Sequence, residues 1–185
     1  IASVSKPITA ATILKLVEEG KLTLSTRIFG PQGMLGQYVK PPFPLDLDEI
    51  SVRHLLEHTA GGWNTTNMNG KKENIMVLKP DYNHQDLINY VIHTVPLENP
   101  PGADFDYSNF GYCLLGRVIE KVTGKSYENY VKSNVLNRCG ITDMHIAADT
   151  HQARRPNEVT YYSTSGNPYS QPVRRMDSHG AWIAS

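Results

Sequence analysis

A serine and a lysine lie three residues apart at the start of the first apolar run of the chain. Ser3 and Lys6 precede the apolar segment from Ile8 to Val17. In a helix, residues three apart lie on one face, about one turn from each other. A lysine amine in that position can activate a serine hydroxyl as a nucleophile. The spacing therefore predicts a catalytic pair; the alternative is that Ser3 is a helix N-cap and Lys6 is solvated.

Tyr107 and Asn109, separated by one residue, form the second group that could do chemistry. They lie in a predicted loop just before a helix-like segment. A phenol, with an ordinary pKa of about 10, is a poor base at neutral pH. A lysine ammonium stabilises a phenolate, which could take a serine proton and return it to a leaving group. Tyr107 is therefore a candidate base, and the Asn109 amide could orient a substrate carbonyl and anchor the lysine. A turn that closes onto a helix is the structural alternative for both residues.

The same Tyr-x-Asn pattern recurs at Tyr127 and Asn129. This copy falls inside a predicted helix, where residues two apart point in different directions. We therefore expect the two side chains of the second copy not to share one site.

Five helices that must position these residues are predicted from apolar spacing, N-cap residues and stop signals. They are expected to run from about Ser3 to Glu19, from Ser51 to Gly61-Gly62, from Asn83 to Pro96, from Ser108 to Gly124, and from Ser126 to Leu136. The predicted apolar stripe of the first helix consists of Ala10, Ile13, Leu14 and Val17, and Ile8 and Leu16 widen it, so this helix is expected to be buried on most sides. These patterns predict a mostly α chain.

The domain organisation is predicted to be a single partial domain over residues 1–185. Its helical region covers about residues 1–149, and an irregular segment with a hairpin between Glu158 and Val173 covers about residues 150–185. The chain begins at Ile1 without an initiator Met, and we interpret it as a fragment.

Composition excludes some classes of partner. Eighteen basic residues balance eighteen acidic ones without a basic run, which disfavours nucleic-acid binding by charge. No apolar stretch reaches membrane-spanning length. The hydrophobic content of 39% over 185 residues fits one globular unit with its own core.

A zinc site is an alternative source of hydrolytic chemistry. Residues 54–58 read His-x-x-Glu-His, a pattern in which two histidines of one helix bind zinc and the glutamate serves as base. Glu120 or Glu128 could supply a third ligand. The glycines at 61 and 62 end this helix early, however, whereas helices of zinc proteases are longer. His54 and His58 are therefore expected to pack and hydrogen-bond near the site instead.

Both candidate groups resemble motifs of one family. The residues from Ser3 to Lys6 resemble the nucleophile motif of the serine β-lactamase and penicillin-binding-protein superfamily, and Tyr107 to Asn109 resemble its second motif. The likeness is to the class C branch, which includes D-alanyl-D-alanine peptidases, family VIII esterases and animal mitochondrial β-lactamase-like proteins. Other segments similar to the family consensus are residues 18–22, 50–62, 118–127 and 180–185.

The resemblance implies a fold as well. It identifies the chain as the helical subdomain of the α+β β-lactamase/transpeptidase-like fold. The third motif of the family, Lys-Thr-Gly or His-x-Gly on a strand, is missing here, as are the strands that precede the serine helix. We therefore expect the flanking sheet strands to be largely absent. Of the two backbone N–H groups that would form an oxyanion hole, only that of Ser3 is expected in this chain.

By resemblance, the function is that of a serine hydrolase that cleaves amide or ester bonds through a covalent acyl-serine. Ser3 would be the nucleophile, Lys6 its partner, Tyr107 the base and Asn109 a substrate-binding residue. A small-molecule or peptide acyl substrate is implied, with no metal or organic cofactor. The piece alone is expected to be inactive. A non-catalytic scaffold or binding module of the same family is the alternative.

Overall fold

The computed structural model describes residues 1–44, 46–63, 65–66, 72–73, 82–146, 152 and 154–158. In these ranges the α-helices are α1 (Ser5–Glu18), α2 (Val52–Leu56), α3 (His84–Thr94), α4 (Asn109–Thr123) and α5 (Tyr127–Val131). Short 3-10 turns lie at Ala2–Val4, Gly36–Tyr38, Leu47–Glu49 and Asn137–Cys139, and a π-helical turn lies at Lys132–Leu136. Strands β1 (Thr65–Thr66) and β2 (Lys72–Glu73) pair antiparallel. The described part is thus mostly α, as predicted.

Side-chain caps set the starts of four helices. The caps of α2, α3, α4 and α5 are Ser51, Asn83, Ser108 and Ser126, and each accepts a backbone N–H three residues on. Such a cap satisfies one of the amide groups that the first helical turn leaves without a partner. The four helix starts predicted from these residues are confirmed.

The predicted end of the second helix is wrong. Helix α2 ends at Leu56 rather than at Gly61-Gly62. His58 adopts a left-handed backbone conformation with φ of 57°, and the Thr59 N–H then bonds back to the His54 carbonyl at 2.9 Å. This pair of features closes the helix before the glycines are reached.

The last predicted helix is regular only over its first half. Beyond Val131 the chain continues as a π-helical turn to Leu136. The Ser133 hydroxyl donates to the Asn129 carbonyl at 2.6 Å, and the Asn134 amide donates to the Tyr130 carbonyl at 3.1 Å. Side chains that bond to helix carbonyls in this way compete with the regular backbone pattern.

Helix α4 lies at the centre of the described core. It contacts α1, α2 and α5, and residues 110–119 are all buried. The apolar residues predicted in register on the third helix are buried as well: Ile88, Val91 and Ile92 of α3, and Val95, which directly follows it. No helix in the described ranges combines the length and apolar character needed to cross a bilayer.

The inward face of α1 differs from the predicted stripe. Leu14, which is predicted to face inward, is 50% exposed, whereas Ile13 and Leu16 are fully buried as predicted. The buried residues of the helix are Ser5, Lys6, Thr9, Thr12, Ile13 and Leu16. Lys6 and Thr9 are buried because they bond to Asn109 of α4 and to Tyr127 of α5, and these partners offset the cost of burying them.

Candidate active site

Ser3 lies on the 3-10 turn that leads into α1. This turn, Ala2–Val4, is closed by the Val4 N–H, which donates to the Ile1 carbonyl at 3.1 Å. Val4, not Ser3, occupies the N-cap position of α1, and no side chain caps that helix. The N-cap alternative for Ser3 is therefore wrong, and its exposed hydroxyl makes other contacts.

Lys6 lies one turn further on and joins the two helix starts. Its Nζ donates to Ser3 Oγ at 3.2 Å and to Asn109 Oδ1 at 2.6 Å. Asn109 is the first residue of α4, where the Ser108 cap fixes its position. The Lys6 residue is only 5% exposed, so its charge depends on these protein partners. The solvated alternative for Lys6 is therefore wrong.

Tyr107 completes the cluster from the loop before α4. Its hydroxyl lies 2.5 Å from Ser3 Oγ, and either oxygen can be the donor. The Lys6 ammonium lies 4.8 Å from the centroid of the Tyr107 ring. The structure therefore brings together all four residues singled out in the sequence, around one ammonium group.

The second Tyr-x-Asn copy does not join this cluster. The Tyr127 hydroxyl bonds to Thr9 Oγ1 at 2.7 Å inside the core, and burial raises the pKa of Tyr127 to about 12. Asn129 is exposed. The two side chains diverge, as expected from their place on a helix.

Two aromatic rings, those of His58 and Tyr112, pack near Tyr107. The His58 ring stacks on Tyr107 with centroids 4.5 Å apart and is 4.9 Å from the Tyr112 ring. The Tyr112 hydroxyl donates to the Leu56 carbonyl at 3.0 Å, and Lys6 Nζ is 5.6 Å from the Tyr112 centroid. Burial, and secondarily the charge that Tyr107 can carry, raises the pKa of Tyr112.

The sequence had indicated His58 near the site but not Tyr112. Tyr112 follows Asn109 by three residues and therefore lies on the same face of α4. That spacing is the signal that could have identified it.

The geometry does not support the zinc alternative. Helix α2 ends at Leu56, so His54 lies on the helix while His58 lies in the turn beyond it. The Nδ1 atom of His58 accepts the Ser108 N–H at 3.1 Å. Among the residues that the structure describes, no three His, Cys, Asp or Glu side chains are grouped closely enough to hold a metal ion.

Comparison with known proteins confirms the family resemblance predicted from the sequence. The family model described as Beta-lactamase matches residues 1–185. The chain belongs to the β-lactamase family. It is 28% identical to Penicillin-binding protein 4* of Bacillus subtilis, over 88% of this chain and 33% of that protein. It is 33% identical to a probable fimbrial assembly protein, FimD, of Dichelobacter nodosus, over 69% of this chain and 30% of that protein.

Solved structures of this family show where the chain fits in the fold. A penicillin-binding protein from Bacillus halodurans superposes with a TM-score of 0.70 at 28% identity, over 98% of this chain and 55% of that one. A class C β-lactamase in complex with cefoxitin superposes with a TM-score of 0.70 at 22% identity, over 100% of this chain and 46% of that one. The chain is thus the mostly helical part of the β-lactamase/transpeptidase-like fold, and it spans about a third of the length of the curated relatives.

Proposed function

We propose that the whole protein containing this chain is a serine hydrolase that cleaves an amide or ester bond through an acyl-serine. In this proposal Ser3 is the nucleophile, Tyr107 the base, Lys6 the cation that organises both, and Asn109 a contact for the substrate carbonyl. The single observation that carries the proposal is the contact of Ser3 Oγ with both Lys6 Nζ and the Tyr107 hydroxyl.

The hydrogen bonds suggest how the serine would lose its proton. Lys6 donates to Ser3 Oγ, which occupies a lone pair of that oxygen. When Tyr107 is a phenolate, the serine hydrogen points at the phenolate oxygen, 2.5 Å away. Attack on a carbonyl carbon then forms the Oγ–C bond while the proton passes to Tyr107. The phenol returns this proton to the leaving amine or alcohol.

The substrate class in this proposal is a small-molecule or peptide acyl compound. This substrate class is supported by the names of relatives and structural neighbours, which include a penicillin-binding protein and a D-stereospecific amidohydrolase from Streptomyces. Ser3 is exposed, so a carbonyl group can approach it from solvent. The reaction requires that carbonyl to lie against Ser3 Oγ and within reach of the Asn109 amide.

Acylation of the whole protein by a fluorophosphonate or a penicillin-type probe tests the nucleophile. The Ser3→Ala variant should lose labelling by at least about a thousandfold, because the attacking oxygen is gone. Ser25→Ala is the matched control, since Ser25 is an exposed serine bonded to Thr23 rather than to the cluster, and it should label like wild type. Wild-type labelling of Ser3→Ala would refute the assignment.

A second candidate function is a non-catalytic assembly role on the same scaffold. It is supported by the similarity to the FimD protein, whose name describes fimbrial assembly. Turnover of a panel of simple esters by the whole protein separates the two candidates. Hydrolysis that depends on Ser3 would exclude a purely non-catalytic role, and a fully folded protein without turnover or labelling would favour it.

A further inference from the structure

Helix α2 ends on a residue type that the other left-handed helix ends of the described chain do not use. At such ends after α1, α4 and the last 3-10 turn, the left-handed residue is a glycine: Gly20, Gly124 and Gly140. Glycine adopts this conformation without steric cost because it has no Cβ. The equivalent position after α2 is His58, with φ of 57°. A non-glycine residue is uncommon at such a position, so the contacts of His58 must hold it there.

Three contacts of His58 are made with the loop that carries Tyr107. Its backbone carbonyl accepts the Asp106 N–H at 2.7 Å. Its ring stacks on Tyr107, with 29° between the planes. Its Nδ1 accepts the Ser108 N–H at 3.1 Å. One residue thus fixes three consecutive residues, with the phenol in the middle.

We propose that His58 is a positioning residue, whose neutral imidazole holds the Tyr107 hydroxyl against Ser3 and Lys6. The proposal rests on the proposed function of Tyr107 as the base. A glycine at position 58 would satisfy the helix end but would provide neither the stacked ring nor the Nδ1 acceptor. A base must be held close to the proton it removes, so loss of either contact should slow acylation.

The proposal requires that His58 stay uncharged. A protonated Nδ1 would carry a hydrogen and could not accept the Ser108 N–H. The charged or titratable groups around the ring are the Lys6 ammonium, the Asp106 carboxylate and the phenols of Tyr107 and Tyr112. Burial first, and then the Lys6 charge, lowers the pKa of His58 to about 4, against the opposing effect of Asp106.

Two substitutions in the whole protein separate the two contacts. His58→Asn keeps an acceptor and a residue type that tolerates the left-handed conformation, but it removes the ring. His58→Phe keeps a flat ring but removes the acceptor. His93→Phe is the control, because His93 is exposed on α3 and bonds only to the Asn89 and Lys40 carbonyls in the described structure.

Two quantities are measured for each variant. One is the acylation rate constant at saturating probe, and the other is the probe concentration that gives half of that rate. Both His58 variants should lower the rate constant by about 10- to 100-fold, as expected for a misplaced catalytic group. The half-saturating concentration should change less than about threefold, because the phenol acts on the proton and not on binding. His93→Phe should stay within about twofold of wild type.

Wild-type rate constants in both His58 variants would overturn the proposal while leaving the Ser3 assignment intact. The proposal would also be overturned if the acylation rate constant fell only in proportion to the folded fraction, measured by circular dichroism on the same samples. Labelling that persists in Ser3→Ala refutes the hydrolase function instead, so the two failures are distinguishable.

Nitrogen NMR of the imidazole gives a readout that does not depend on acylation. In the intact protein, Nδ1 of His58 should lack a proton from about pH 8 to about pH 5. A protonated Nδ1 anywhere in that range would overturn the proposal.

Discussion

Lys6 is the residue on which the chemistry of this site depends. A buried ammonium is costly unless polar or electron-rich groups replace its water. Here the replacements are Asn109 Oδ1 at 2.6 Å, Ser3 Oγ at 3.2 Å and the faces of two tyrosine rings. The groups that stabilise the charge are therefore the same groups that the proposed reaction uses. The burial of Lys6 and the geometry of the site therefore depend on the same contacts.

At the same scale, His58 should make the stability of the protein depend on pH. Its pKa is about 4 in the folded state and about 6.5 when unfolded, so between these values the unfolded state binds more protons. The free energy of unfolding should therefore be highest above about pH 6.5 and fall as the pH drops towards 4. The full pKa difference corresponds to roughly 3 kcal/mol, and solvent screening of a half-buried ring reduces the expected loss to about 1–2 kcal/mol.

Urea titrations of the whole protein across this pH range measure the effect. His58→Asn and His58→Phe both lack the titrating ring, so in either variant the free energy of unfolding should fall by about 1–2 kcal/mol less than in wild type. A wild-type slope in both variants would contradict the low folded-state pKa of His58.

At the scale of elements, the cap of α4 connects helix stability to the site. Ser108 is 4% exposed and accepts the Gly111 N–H at 3.0 Å, immediately before Asn109. Ser108→Ala should lower the free energy of unfolding by about 1 kcal/mol. It should also slow acylation by about tenfold, because the first turn of α4 positions Asn109 and therefore Lys6.

The matched control is the cap that follows the opposite end of α4. Ser126→Ala removes the cap of α5, and the 15 residues of α4 separate the two caps by about 22 Å. It should cost a similar free energy of unfolding but leave the acylation rate of folded protein unchanged. Equal acylation by both variants would show that the cap of α4 does not position the site.

Local signals explain what could be predicted from the sequence. The caps Ser51, Asn83, Ser108 and Ser126 were identifiable because a cap acts on its own first turn. The end of α2 and the burial of polar residues on α1 are not predicted, since both depend on contacts distant in sequence. His58 packs on Tyr107, and the polar face of α1 meets partners on α4 and α5. The hairpin predicted up to Val173 lies outside the described residues beyond Glu158.

At the scale of the whole molecule, one aromatic side chain joins the loops to the central helix. Trp63 is 1% exposed and contacts Phe29 and Phe110 edge to face, with centroids 6.4 and 5.3 Å apart. Phe110 directly follows Asn109 on α4. Trp63 therefore supports the core layer behind the site.

Trp63→Ala in the whole protein should thus act on folding and not on chemistry. We expect the free energy of unfolding to fall by about 3–5 kcal/mol, because the substitution leaves a large cavity and removes two aromatic contacts. Leu14→Ala, at a position 50% exposed on α1, is the control and should stay within about 0.5 kcal/mol of wild type. Acylation measured per folded molecule should be unchanged in both variants. A Trp63→Ala protein with wild-type stability would contradict the central role of this side chain. A Trp63→Ala protein that stays folded but loses acylation would mean that the core layer itself aligns the catalytic cluster.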